Sequence, residues 1–86
     1  MSRLTEIAEE LKRDPKNHWN ENYRKDFEQF TQEQIDGTVT ALRRIYADGN
    51  GYLAYKVIRA WHDNGLVAVI KLYKNGGLTS SDKLYD

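Results

Sequence analysis

Five side chains in the second half of this chain are placed to do chemistry together. Tyr52, Tyr55, Lys56, Arg59 and His62 recur at i, i+3, i+4, i+7 and i+10, the spacing that returns to one face of an α-helix. Arginine offers paired donors to a guanine edge or a phosphate, lysine offers charge, and tyrosine stacks or donates through its hydroxyl. Tyrosine and arginine also dominate hot spots between proteins. The remaining positions are apolar. Leu53, Ala54, Val57, Ile58, Ala60 and Trp61 share an arc of roughly 160°, the side expected to be buried. No acid falls among the five, although the chain as a whole balances 13 Lys/Arg against 13 Asp/Glu. That local segregation carries more functional content than any total; the plain alternative is a solvated face of an amphipathic helix.

Other chemistries lack their residues. There is no cysteine, and the two histidines, His18 and His62, are far apart in sequence, so no metal site is expected. Asp48-Gly49-Asn50-Gly51 has the look of a calcium loop, but its later ligand positions fall on Leu53 and Ala54, which carry no side-chain oxygen. Gly49-Asn50-Gly51-Tyr52-Leu53-Ala54 spells GxGxxA before a helix, yet the dinucleotide fingerprint needs a strand in front of it and a helix precedes it here. Ser80-Ser81 have no nucleophile elbow and no marked base. No pair of carboxylates has a setting that would part their pKa values. The reading is a non-enzyme with no catalytic residues, cofactor or metal.

The elements that must position the basic-aromatic face follow from hydrophobic periodicity. Ser2 is a candidate N-cap for a first helix with Leu4, Ile7, Ala8 and Leu11 as its buried stripe, ended by Asp14-Pro15. Trp19, Tyr23, Phe27 and Phe30 fall on one side of a second helix, a stripe that reads as core because each ring buries a large area. Thr31-Gln32-Glu33-Gln34 fits a capping box, with Phe30 and Ile35 as its hydrophobic staple. Ile35, Thr38, Val39, Leu42, Ile45 and Tyr46 then form the expected buried face of a third helix, stopped at residues 48–51. The fourth helix carries the five-residue face and is closed by Asn64-Gly65. Residues 66–73, Leu-Val-Ala-Val-Ile-Lys-Leu-Tyr, are β-branched and short, and predict a strand. Lys74-Asn75-Gly76-Gly77 predicts a type I′ hairpin turn, centred on Asn75-Gly76 or on Gly76-Gly77, into a polar, weakly strand-like return segment over 78–86. The expected fold class is α+β, mostly α: four helices followed by a C-terminal β-hairpin, in one domain of 86 residues.

The order of a helix closed by Asn64-Gly65, an apolar strand and a glycine-rich hairpin carrying Lys71, Tyr73 and Lys74 resembles the recognition helix and wing of winged helix-turn-helix proteins. The words Lys56-Val57-Ile58-Arg59-Ala60-Trp61-His62-Asp63-Asn64-Gly65-Leu66-Val67 carry that resemblance, which is confined to residues 51–85. It implies that the helix over 32–47 supports, that the face from Tyr52 to His62 meets duplex DNA, and that Lys71, Tyr73 and Lys74 add contacts from the wing. A zero net charge is unlike that of most small DNA binders. The reading is a regulator that binds nucleic acid; the alternative is a small module, such as an inhibitor, antitoxin-like partner or adaptor of phage type, that binds one protein through the same face. A homodimer formed through that face is a further expectation. No secretory apolar run and no membrane-length stretch is present, so the expected setting is the cytoplasm without membrane contact.

Overall fold

The computed structural model of the chain describes residues 3–13 and 21–78, with the backbone alone at Tyr23. Four helices follow in order: α1 (Arg3–Lys12), α2 (Glu21–Phe27), α3 (Gln32–Asp48) and α4 (Gly51–Lys74). The described residues are all-α. The expected C-terminal β-hairpin is absent, because residues 66–74 coil as the second arm of α4. The candidate cap Ser2, the break at Asp14-Pro15, Trp19, the Tyr23 ring and the return segment beyond Leu78 lie outside the described residues.

α1 buries the four apolar positions that its spacing selects, Leu4, Ile7, Ala8 and Leu11. α2 is short and is anchored where it ends: Phe27 and Phe30 are both buried, with their rings edge to face at 6.5 Å. α3 starts on a complete capping box. Thr31 Oγ1 accepts from the Gln34 amide at 3.1 Å, and Gln34 Oε1 accepts from the Thr31 amide at 3.0 Å. Phe30 and Ile35, the staple positions, are both buried. Thr38 is buried without cost to its hydroxyl, which donates to the Gln34 carbonyl one turn back at 2.7 Å.

The corner between α3 and α4 is two residues long. Gly49 takes a left-handed φ of 65°, and the amides of Gly49 and Asn50 return to the carbonyls of Tyr46 and Ile45 at 3.2 Å each. That crossed pair satisfies the last carbonyls of α3 in the Schellman pattern. Asn50 then caps α4, its side-chain oxygen accepting from the Leu53 amide at 3.1 Å. One short turn therefore closes one helix and opens the next.

α4 is interrupted at Asn64 (φ −140°, ψ 15°) and Gly65 (φ 74°, ψ −160°), the latter a conformation open in practice only to glycine. A straight helix would hold Lys56 and Gly77 about 30 Å apart at 1.5 Å per residue. Instead Lys56 Nζ donates to the Gly77 carbonyl at 3.0 Å. The arms over 51–63 and 66–74 therefore fold back on each other as a helical hairpin. Leu66, Val69 and Ile70 are buried and Tyr73 packs on the core, an i, i+3, i+4, i+7 stripe that a two-residue repeat cannot place on one side. The glycines expected to turn a hairpin instead end this arm: the amides of Gly76 and Gly77 return to the carbonyls of Tyr73 and Leu72 at 3.0 and 2.8 Å, with Gly76 at φ 79°.

Gly37 in the middle of α3 has a specific neighbour. The Tyr73 ring crosses so closely that a Cβ at residue 37 would overlap its hydroxyl end. Glycine is tolerated there, despite a helix penalty of about 1 kcal/mol against alanine, because it admits the second arm of α4. Gly37→Ala must displace the end of that ring and should accordingly be less favourable in the wild-type chain than in a Tyr73→Ala background, where the same change should add up to about 1 kcal/mol. Urea denaturation of the four variants of this cycle measures it; two single effects that simply add would contradict the contact.

Candidate functional site

The first arm of α4 presents its side chains as the spacing requires. Leu53 and Val57 are buried and Ala54, Ile58, Ala60 and Trp61 half-buried, while Tyr52, Tyr55, Arg59 and His62 are exposed. Among the described residues, two of the three exposed large hydrophobic side chains are on this face, Tyr52 at 41% and Tyr55 at 58%. The third is Tyr46 at 57%, expected on the buried side of α3. It sits on the outer edge of that stripe, beside a shallow recess between α1 and α3 shared with Leu4, Ala8 and Leu42.

The cations of the face are not free charges. Arg59 donates from Nη1 to the Tyr55 hydroxyl at 2.9 Å and lies 3.8 Å from Asp63 Oδ2. The Tyr55 hydrogen bond first, and Asp63 after it, push the guanidinium pKa above its already high ordinary value, so Arg59 is cationic at any working pH. His62 Nδ1 lies 3.5 Å from Asp63 Oδ1, an ion pair only when the imidazole is protonated. Lys56 is half-buried, tied to the Gly77 carbonyl and 5.5 Å above the Tyr52 ring. Asp63 was readable in the sequence as the acid four residues after Arg59; a face drawn only to His62 omits it. The patch is thus aromatic, with two cations, Lys56 and Arg59, against the one acid Asp63, and with Arg59 oriented by Tyr55.

Lys71, Tyr73 and Lys74 do not extend this face as a wing. They belong to the second helical arm. Lys71 is exposed, Lys74 Nζ lies 5.9 Å over the Phe30 ring, and Tyr73 covers Gly37. Tyr73 also lines a cavity of about 590 Å³ with Thr40, Arg44, Asp48 and Leu53. Of the eight residues only Tyr73 lines that cavity, so the eight do not converge on one site. On the other flank of α4, the Arg3 guanidinium lies 5.1 Å over the Trp61 ring and helps hold α1 in place.

Among the described residues no group of three or more His, Asp or Glu side chains is placed to hold a metal ion. No described helix is long and apolar enough to cross a membrane. No known protein family matches the chain, and neither curated proteins nor solved structures offer a similar one.

Proposed function

We propose that this chain is a non-enzymatic protein-binding module that docks one partner through the outer face of the first arm of α4, with Tyr52, Tyr55 and Arg59 at its centre. The observation that carries this is the pairing of exposed Tyr55 with Arg59, whose guanidinium is oriented by the tyrosine hydroxyl and offset by Asp63. Interface centres favour tyrosine and arginine and are depleted of lysine and of uncompensated charge. Tyrosine brings a large contact area with few rotatable bonds, so little entropy is lost on docking. A phosphate-tracking surface needs the opposite, several cations open to solvent. Lys56 is engaged with Gly77 and Arg59 shares its face with an acid, and the wing that was to add Lys71 and Lys74 is a helix.

The test is quantitative capture from a lysate, compared across wild type, Tyr55→Ala and Lys71→Ala. A stoichiometric protein partner should be retained by Lys71→Ala and lost with Tyr55→Ala, with affinity falling about thirtyfold or more for the isolated pair. Arg59→Ala should weaken it in the same direction, and the circular dichroism of all variants should match wild type. Salt-titrated binding to random duplex DNA is the counter-test. Affinity that falls with log salt at a slope of about −3 to −4, and that Arg59→Ala reduces, would replace this reading with nucleic-acid binding.

A further inference from the structure

We propose that the Asn64–Gly65 corner is a hinge through which residues 66–78 exchange between two copies of the chain, α4 straightening into one continuous helix as they do so. Four features point to this. The corner is only two residues long, and both its departures from helical geometry are torsional, at Asn64 and Gly65. Nothing lies within 4 Å of where a Cβ at Gly65 would stand, so a side chain at residue 65 meets no steric obstacle and only the backbone torsions oppose it. Residues 51–63 and 66–74 are already helical on either side, and no proline lies between them. The contacts of the second arm, finally, are made with parts of the chain that a second copy supplies equally well: the Tyr73 ring on Gly37, the Gly77 carbonyl on Lys56, and Leu66, Val69 and Ile70 in the shared core.

An opened arm exposes Leu66, Val69 and Ile70 together, so it is not stable alone in water. The same apolar stripe is what a second open copy needs to complete its core. Exchange thus keeps every contact except the corner itself and trades a two-residue turn for helix. Because both states share their contacts, the torsions at Gly65 set the balance. Glycine adopts the closed corner freely, which favours the monomer; any other residue is disfavoured there and favoured in the straight helix. This exchange does not use the Tyr55 face, so it stands or falls separately from the partner-binding reading.

The experiment compares wild type and Gly65→Ala by light scattering across a concentration series, with circular dichroism on the same samples. Gly65→Ala should dimerise at least about a hundredfold more tightly than wild type, the corner penalty being removed from both copies at once, and its helix content should be equal or higher. Isotope-filtered nuclear Overhauser spectra on an equal mixture of labelled and unlabelled chains should then place the Tyr73 ring of one copy on Gly37 of the other. Inserting Gly-Ser-Gly after position 65 in the same variant should return it to monomer. A Gly65→Ala chain that is folded and monomeric overturns the proposal, and so does a dimer in which the Tyr73–Gly37 contact stays within one copy. If Gly65→Ala fails to fold, wild type incubated at millimolar concentration just below its melting temperature decides: exchanged Tyr73–Gly37 contacts support the hinge, and their absence overturns it.

Discussion

Ile70→Ala is expected to lower the free energy of unfolding by about 2 to 5 kcal/mol, and Val69→Ala by about 1.5 to 3 kcal/mol. Both side chains are fully buried, at 0% exposure. Consecutive residues of a strand point to opposite sides, so a sheet edge with one wet face could not bury both. A helix packed in a groove can, because neighbours 100° apart both fall within its apolar arc. Lys71→Ala, one position on and exposed, should stay within about 0.5 kcal/mol of wild type. Chemical denaturation followed by circular dichroism at 222 nm measures all three. A large loss at only one of residues 69 and 70 would indicate an extended segment after all. Set against a typical total of about 5 to 15 kcal/mol, the Ile70 change alone threatens the fold.

The second large effect is expected at Phe27. Replacing it by alanine should cost about 3 to 5 kcal/mol, as it removes a side chain only 1% exposed and strips the edge-to-face partner from Phe30. The element it belongs to makes the loss worse. α2 has seven residues, well short of the length at which an isolated helix persists in water, so its order depends on what it buries. Amide exchange should show residues 21–27 losing protection first in Phe27→Ala. Tyr55→Ala is the matched control, because it deletes an aromatic ring that is 58% exposed. Its unfolding midpoint should barely move. If Tyr55→Ala proved as destabilising as Phe27→Ala, the tyrosine would be structural and the proposed docking face would lose its centre.

The contrast between these two aromatics shows how far the linear chain can be read. The stripe containing Phe27 and Phe30 is legible as core from spacing and ring size, and Tyr52 and Tyr55 are legible as outward because their arc opposes Leu53 and Val57. Local chemistry also sets the boundaries. Thr31 and Gln34 contain the capping box, Gly49 and Asn50 the corner, and Asn64-Gly65 the interruption, since each depends on atoms a few residues apart. Tyr46 and Asp63 show the weaker side of the same rule. A residue at the edge of an apolar arc is covered or left open according to which neighbour arrives.

Residues 66–77 are where local rules run out. Leu-Val-Ala-Val-Ile suits a strand by propensity, worth a few tenths of a kcal/mol per residue, and Asn75-Gly76-Gly77 serves a hairpin turn or a helix stop equally well because both need a positive-φ glycine. A two-stranded hairpin alone is at best marginal in water. Coiling instead sets Leu66, Val69, Ile70 and Tyr73 along one stripe, against a core and a place on α3 that Gly37 leaves open. That burial is worth several kcal/mol and exceeds the strand preference, but it exists only once α1, α3 and the first arm of α4 have come together to form the groove.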